Sequence, residues 1–288
     1  MILSFIVFPK IPNAVLYSFA KRTSAGRNAK STDLIIKIKT IMKVIVMGDI
    51  HGRRNWKELI DTKALNVFVG DYFDPYDDIS FTEQADNFKE IVALKHSHPD
   101  NFVLLYGNHD AHYFMRGERS SRYNDAHAQE TKDLFESSKA LFYGVAFAPD
   151  NGHLISHAGV TRQWAYFRLG YKDGTPVPTP KELEVMVNRL WNTDRGAFSF
   201  MNNAQDWYDC YGTSSSHSPI WVRDETLMNN AINNGYGWIQ VVGHTQHPKV
   251  ERWRDCVFVD CLGFSTDAYV FETESLTENT DSDGKDNK

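Results

Sequence analysis

Cysteine is scarce in this sequence. The 288 residues include three cysteines, Cys210, Cys256 and Cys261, and their spacing differs from the C-x-x-C pattern of zinc knuckles and redox pairs. An odd and sparse set of this kind argues against a disulfide framework. It suits a reducing compartment, so we predict a cytoplasmic location.

Long apolar runs and an excess of positive charge are also missing. No stretch reaches the roughly 18 apolar residues of a membrane-spanning helix, so we predict no membrane contact. The 31 Lys and Arg are outnumbered by 37 Asp and Glu, and the net charge of −6 argues against nucleic acid as a partner. The N-terminal MILSFIVF has no basic residue before it and is a poor signal peptide.

The two ends of the chain differ in composition from the rest. Residues 1–41 are basic, and we interpret them as a loosely ordered leader or as the product of a start upstream of Met42; a transit peptide is less favoured. Residues 273–288 are acidic and without apolar periodicity, which predicts a disordered tail. We therefore expect one domain over residues 42–272, as a monomer or a small homo-oligomer.

Short apolar runs alternate with polar helical stretches between these ends. KVIVMGD (43–49) and NVFVGD (66–71) are β-branched, whereas residues 81–96 repeat apolar side chains at helical spacing. This alternation predicts an α/β sheet, and the strand-like runs near the C-terminus predict a second sheet packed on it. Residues 111–142 and 162–235 are too long for simple connections, and we interpret them as insertions that cap the site. The first is predicted to be mostly helical, and the second to be helical in parts.

Five of the apolar runs end in the same kind of residue. Each is followed by Gly, Ser or Asn together with Asp or His. Because function in open α/β sheets lies beyond the carboxyl ends of the strands, we expect these side chains to converge. They are Asp49, His51, Asp71, Asp74, Asn108, His109, Asp110, His157 and His244.

These side chains have the chemistry of metal ligands. Carboxylate, imidazole and amide groups together suit divalent Mn, Fe or Zn rather than a thiolate site. They are too many for one ion, so the pattern predicts a two-metal centre. In such a centre a shared water loses its proton near neutral pH and can attack phosphorus, which makes phosphate esters the natural substrates.

Five short motifs occur in order along the chain: GDIHG, GDYFD, GNHD, SHAG and GHT. They resemble the signature of the calcineurin-like metallophosphoesterases, especially the branch of the serine/threonine phosphoprotein phosphatases and symmetrical diadenosine tetraphosphatases. The resemblance extends from Lys43 to Glu272. It implies an α/β (α+β) sandwich of two mixed sheets packed face to face and flanked by helices. It also implies a metal-dependent phosphoric ester hydrolase with two metal ions.

The resemblance implies a role for each matching residue. Asp49 and His51 would bind the first metal, and Asp71 would bridge both ions. His109 would act as the general acid or bind the phosphate, with Asp74 as its orienting carboxylate. The remaining ligands, those of the second metal, would be Asn108, His157 and His244.

The chain departs from the family pattern where phosphate would be gripped. The phosphoprotein phosphatases usually have an Arg directly after the residue that matches Asp74, and here Pro75 follows. Another residue must therefore contact the anion, since phosphate recognition favours the fork of a guanidinium group. Our candidates are Arg53, Arg54 and Arg162, with Arg116, Arg119 and Arg122 of the first insertion as alternatives.

The favoured function is hydrolysis of phosphomonoesters, from a phosphoprotein or a small molecule, through a metal-bridging hydroxide. The alternative is hydrolysis of diadenosine tetraphosphate or another dinucleoside polyphosphate, because SHAGVTRQW resembles that enzyme's version of the fourth motif. A phosphodiesterase or nuclease is less favoured, since the charge is negative and a His-x-His is missing after Gly243. A catalytically inactive binding module is disfavoured, because all the expected ligand types are present.

Overall fold

The computed structural model describes residues 14–19, 35–200, 209 and 211–279. Cys210 and much of the predicted leader and tail therefore lie outside the described residues. Among the described helices, none is long and apolar enough to cross a membrane. The chain divides into two compact units, one formed by Val44–Phe271 and the other by the two ends.

The unit formed by the ends contains paired strands. Strand β1 (Ala14–Phe19) lies antiparallel to the first part of β2 (Ile35–Met47), with Ala14 opposite Thr40. Strand β11 (Tyr269–Asn279) also pairs with β2. These strands differ from our expectation of a loosely ordered leader and a disordered tail. The reason is that ladder hydrogen bonds join backbone groups, which the composition of a segment does not reveal.

The first sheet of the larger unit is parallel. Its strands follow the order β2, β3 (Leu65–Phe68), β4 (Phe102–Leu105) and β5 (Phe142–Gly144), and neighbours run in the same direction. Every residue of β3 and β4 is buried. A strand with both faces buried needs a covering layer on each side, which explains why these runs are almost continuously apolar.

The second sheet is mixed. Its strands are β6 (Ala146–Phe147), β7 (His153–Ser156), β8 (Ile239–Val242), β9 (Glu251–Trp253) and β10 (Cys256–Phe258). They follow the order β6, β7, β8, β10, β9, with parallel pairs in the centre and antiparallel pairs at the edges. The predicted fold, two sheets packed face to face and flanked by helices, is confirmed.

Helices flank the sheets and begin at clear caps. Helix α1 (Phe81–Ser97) confirms the helix predicted over residues 81–96, and Ser80 forms a capping box with Glu83 at its start. Helix α5 (Pro180–Thr193) also begins with a capping box and has proline in its first turn. The other α-helices within the described residues are α2 (Asn108–Ala111), α3 (Ala128–Ser138), α4 (Arg162–Trp164) and α6 (Asp224–Asn230).

The two predicted insertions are helical only in part. Helix α3 lies in the first insertion, and α5 is the longest helix of the second. Residues 112–127 and 211–223 are turns and irregular backbone, contrary to the mostly helical structure that we expected for the first insertion. Side-chain hydrogen bonds and ring contacts hold these segments in place of the backbone hydrogen bonds of a helix.

Candidate active site

The carboxyl ends of five strands meet around one cavity of about 410 Å³. Asp49 follows β2, Asp71 follows β3 and Asn108 follows β4 in the first sheet, whereas His157 and His244 follow β7 and β8 of the second. All five side chains are buried. The convergence predicted from the strand ends is thus present in the structure. We call these five residues, together with His51, the floor of the cavity.

Asp71 occupies the centre of the floor. Its Oδ2 lies 3.7 Å from Nε2 of His51 and 3.4 Å from Nε2 of His157. Oδ2 of Asp49 lies 3.9 Å from the same His51 nitrogen. Asp49, Asp71 and His157 offer three ligand atoms that all lie within 4.8 Å of one another. This spacing fits side chains that surround a metal ion.

Asn108 joins the two sheets at the other half of the floor. Its Oδ1 lies 2.9 Å from Nε2 of His157 and 2.9 Å from Nδ1 of His244. The backbone N–H of His244 donates to Oδ1 of Asp49, which links this half to the first. The structure therefore brings together all six side chains proposed from the sequence as metal ligands.

The tautomers of the floor histidines provide a test of whether metal ions fit. Nδ1 of His51 contacts the Phe73 carbonyl at 2.6 Å, and Nδ1 of His157 contacts that of Val69 at 3.1 Å. Nε2 of His244 lies 3.0 Å from the Trp221 carbonyl. A carbonyl only accepts, so each of these nitrogens carries the proton and the inward nitrogen carries a lone pair.

These inward lone pairs point at other acceptors. Burial lowers the pKa of all three imidazoles, that of His157 to about 3, so they remain neutral. Two such nitrogens, of His157 and His244, converge on Oδ1 of Asn108, which is itself an acceptor. Three acceptors at contact distance repel one another unless a cation lies among them. The floor therefore fits divalent metal ions.

The carboxylates lead to the same conclusion. Burial and the neighbouring Asp260 raise the pKa of Asp49, while burial and Asp49 raise that of Asp71. Buried carboxylates this close together resist ionisation because of their mutual repulsion in a medium of low dielectric constant. Divalent cations between them would compensate the negative charge and keep the carboxylates ionised.

The backbone around the floor is tight and strained. A Cβ atom on Gly107 would lie 2.1 Å from Oδ1 of Asp71, and one on Gly243 would lie 2.2 Å from Oδ1 of Asp49, so only glycine fits. His51, Asp71 and His244 have φ angles of 44°, 56° and 69°, in the left-handed region that such residues rarely adopt. Strain of this kind concentrates at functional sites.

A second buried group lies beside the floor, formed by Asp74, His109 and His112. Oδ2 of Asp74 lies 3.1 Å from Nδ1 of His109 and 2.8 Å from Nε2 of His112, and the Tyr113 hydroxyl donates to Oδ1 at 2.5 Å. Burial alone would raise the pKa of Asp74, but the hydrogen bonds from the two histidines outweigh it and lower this pKa. The predicted pairing of His109 with Asp74 is present.

Asp110 supports the floor from beneath. Its carboxylate accepts hydrogen bonds from the backbone N–H groups of Asp71, Tyr72 and Gly107. These three donors belong to the turns that follow β3 and β4. Asp110 thus ties the two strand ends together, and its contacts are structural.

The three arginines favoured as phosphate ligands are engaged elsewhere. Nε of Arg53 donates to Asp77 at 2.7 Å, and Nη1 of Arg54 donates to Glu90 at 2.6 Å on the surface. Arg162 lies near Asp173, at 3.8 Å. None of the three lines the cavity as described. Arg54 and Arg162 therefore turn toward acidic partners outside the cavity. Arg53 differs from them, because its buried Nη1 has no hydrogen-bond partner among the described residues and its charge opposes the rise in the pKa of Asp260.

Other charged residues line the cavity instead: Glu118, Arg119, Arg122, Arg223 and Asp260. Arg223 lies in the second insertion and donates from Nη1 to the His244 carbonyl at 3.2 Å. Asp260 is 1% exposed, contacts Asp49, and its Oδ1 lacks a hydrogen-bond partner among the described residues. A signal for Asp260 existed in the sequence, since it ends the apolar run CVFV as Asp49 ends KVIVMG. Arg223 follows no strand and carried no such signal.

The sequence model of the calcineurin-like phosphoesterases matches residues 42–271 of this chain. The chain therefore belongs to the calcineurin-like phosphoesterase family, and it is a metal-dependent phosphoric ester hydrolase. A comparison with curated protein sequences gave no match.

Two solved structures with TM-scores above 0.5 have a similar fold. A cold-active protein-tyrosine phosphatase of a psychrophilic Shewanella species is 16% identical, with 82% of this chain and 80% of that chain covered and a TM-score of 0.51. A second structure of a cold-active protein tyrosine phosphatase gives 16% identity, 82% and 78% coverage and a TM-score of 0.52. A protein serine/threonine phosphatase of Saccharomyces cerevisiae aligns at 16% identity over 83% and 82% of the chains, with a TM-score of 0.45.

Proposed function

We propose that the protein hydrolyses phosphomonoesters and releases inorganic phosphate from a phosphoprotein or a small molecule. The observation that carries this proposal is the floor itself, with six metal-ligand side chains gathered beneath one cavity. The buried pair of His109 and Asp74 lies directly beside it. Such a cavity combines sites for two metal ions with a group that can move a proton.

The six side chains of the floor would be shared between two metal ions. Asp49, His51 and Asp71 would hold one, and Mn, Fe or Zn suits a mixed set of oxygen and nitrogen donors. Bound ions supply Lewis acidity, which polarises the phosphoryl oxygens and lowers the pKa of the attacking water. The ligands of the other ion would be Asp71, Asn108, His157 and His244.

His109 would move the proton of the leaving group. Burial lowers the pKa of His109 to about 4, against the opposing effect of Asp74, so the imidazole is neutral at neutral pH and Nδ1–H donates to Asp74. An anionic phosphoryl group beside Nε2 would favour the imidazolium. The imidazolium can then protonate the oxygen of the departing alcohol.

Arg223 would neutralise part of the charge on the bound phosphoryl group. Its Nη1 donates to the carbonyl of His244 and its Nε to that of Tyr211. These two contacts hold the guanidinium against the cavity, where it can offer further N–H groups. A fixed guanidinium beside the floor favours a dianionic monoester over a monoanionic diester.

The dinucleoside polyphosphate alternative rests on the SHAGVTRQW stretch, of which His157 reaches the floor. Thr161 caps α4 by accepting from the Trp164 N–H, and Trp164 itself is buried in the core. Thr161 and Trp164 therefore serve folding and lend no support to a nucleotide site. This favours monoesters over dinucleotides.

The state of the cysteines indicates the compartment in which the protein functions. Cys256 and Cys261 are free and buried, in agreement with a reducing compartment. We propose a cytoplasmic location on this basis.

A substrate panel tests the proposal. The Mn-loaded full chain is assayed with an aryl phosphate, phosphoserine and phosphotyrosine peptides, a bis-aryl phosphate and a dinucleoside tetraphosphate. Phosphotyrosine is included because the two cold-active proteins compared above are protein-tyrosine phosphatases. We expect the monoesters to be hydrolysed fastest. Preferential cleavage of the dinucleotide or the diester would replace the proposed function with the corresponding alternative.

A further inference from the structure

We propose that Arg122 is a phosphate-binding residue of this site, supplied by the first insertion in place of the arginine that is absent after Asp74. The inference rests on the proposed function of the cavity and extends it. The ligand is a phosphoryl group, either of the substrate or of inorganic phosphate.

Arg122 is held at the edge of the floor by contacts with its surroundings. Its Nη1 donates to the backbone carbonyl of Asp74 at 2.5 Å. The guanidinium carbon lies 3.2 Å from the ring centroid of Tyr76, a cation–π contact. Both partners flank Pro75, the residue that stands where the family arginine would be. The guanidinium thus occupies the neighbourhood of the missing side chain although it belongs to another segment.

The remaining donors of Arg122 are poorly satisfied. Nη2 lies 3.2 Å from Nε2 of His109, and Nε is buried without a hydrogen-bond partner among the described residues. A buried donor that is left unpaired destabilises the folded protein. A guanidinium can only donate, so these groups require an acceptor. The oxygens of a phosphoryl group at the floor match that requirement, because they accept the planar fork of arginine.

The segment that delivers Arg122 is anchored to the same carboxylate that orients His109. We call residues 117–122 the cap loop. Oγ of Ser120 in this loop lies 2.5 Å from Nδ1 of His112, and Nε2 of His112 lies 2.8 Å from Oδ2 of Asp74. The cap loop therefore reaches Asp74 twice, once through His112 and once through Arg122. The backbone of Arg122 has φ of 62°, in the left-handed region that such residues rarely adopt and that is common at functional sites.

Arg122 also contacts His109. Its Nη2 donates toward Nε2 of His109, the ring nitrogen opposite the one that contacts Asp74. A phosphoryl oxygen that accepts from this Nη2 would therefore lie beside His109 as well. This position agrees with a phosphate site between Arg122 and the floor.

Arginines elsewhere in the first insertion provide a matched control. Arg116 is exposed and lies outside the cavity lining, five residues after Ala111 in the same insertion. Substituting it removes the same charge at the surface without touching the proposed contact.

The test measures the binding of inorganic phosphate to Mn-loaded wild type, Arg122→Ala, Arg122→Lys and Arg116→Ala by calorimetry, with metal content determined for each. We expect the Kd to rise about 10- to 100-fold in Arg122→Ala, as for a lost charge-assisted hydrogen-bonding group. Arg122→Lys should recover part of the loss, since it keeps the charge but not the fork. Arg116→Ala should stay within about twofold of wild type.

Kinetics with an aryl phosphate complete the test. Arg122→Ala should raise KM and lower kcat, because the contact persists in the transition state. The assignment would be overturned if Arg122→Ala and Arg116→Ala bound phosphate equally tightly at equal metal content. If Arg122→Ala does not fold, wild-type affinity for phosphate in Arg122→Lys would overturn the assignment instead. Phosphate binding does not require turnover, so the two proposals can fail separately. If the protein hydrolyses no monoester but Arg122→Ala still weakens phosphate binding, only the proposed function is wrong.

Discussion

The floor and the wall of the cavity are built in opposite ways. The floor consists of strand ends, and its six side chains are at most 8% exposed. The wall comprises the cap loop, Tyr76, Phe200, Tyr211, Trp221 and Arg223, and it comes mostly from irregular segments. Tyr76 is 62% exposed and Tyr211 is 75% exposed.

This difference separates two tasks. Backbone hydrogen bonds and glycine contacts fix the floor, so it can keep ligand atoms within fractions of an ångström of their positions. Single side-chain contacts hold the wall, so its segments can open at low cost in free energy and can differ between enzymes of similar chemistry. The floor should therefore determine the reaction, and the wall should determine which phosphate ester is accepted.

The largest effect is expected on the floor, from Asp71→Asn. Asparagine keeps the Oδ1 acceptor for the His109 N–H but removes the charge that two ions would share. Several kcal/mol of transition-state stabilisation would be lost, so kcat/KM should fall by about a thousandfold or more. Steady-state assays with an aryl phosphate check this, with exposed Asp173→Asn as the control. Activity of Asp71→Asn within tenfold of wild type would mean that the floor is not required for the reaction.

His109→Ala should have the next largest effect, a fall of about 10²–10⁴-fold in kcat. The loss should shrink as the leaving group becomes more acidic, because a good leaving group needs no proton. A series of aryl phosphates with different leaving-group pKa values measures this trend. An equal loss for every member of the series would mean that His109 does not protonate the leaving oxygen.

Asp260→Asn tests whether the floor extends beyond its six residues. The carboxylate of Asp260 contacts Asp49 and has an unpartnered oxygen among the described residues. We expect the affinity for Mn to fall about 10- to 100-fold, as for residues that orient metal ligands. Titration of each metal-free protein with Mn measures this affinity, with Asp173→Asn as the control variant. Unchanged affinity would place Asp260 outside the metal centre.

The smallest effect is expected from Tyr113→Phe, in the first insertion. The change removes the hydroxyl that donates to Asp74, but His109 and His112 still contact this carboxylate. We expect a loss of about 1 kcal/mol, or roughly fivefold in kcat, at unchanged metal content. A loss as large as that of His109→Ala would show that the Tyr113 hydroxyl is needed to position Asp74, although His109 and His112 also contact this carboxylate.

The sequence predicted the floor because strand ends leave a local signature. Asp49, His51 and Asp71 each follow an apolar run, and a parallel sheet carries such positions to one edge. The capped helix α1 was predictable for the same reason, since its periodicity and its cap are local properties.

The wall left no such signature. Arg122 and Arg223 reach the cavity through turns whose course depends on tertiary contacts, such as that of Arg122 with Tyr76. Arg54, adjacent to a motif in the sequence, turns away because Glu90 on α1 attracts it. Proximity along the chain is informative in strands, where direction is fixed, and uninformative in irregular segments.

The central claim is that the strand ends bind two metal ions, and metal analysis tests it most directly. The purified full chain and Asp71→Asn are loaded with Mn, freed of excess metal and analysed for bound ions. The account predicts about two ions per wild-type chain and fewer than about one per variant chain. Fewer than about one ion per wild-type chain, or equal occupancy in the two proteins, would contradict it.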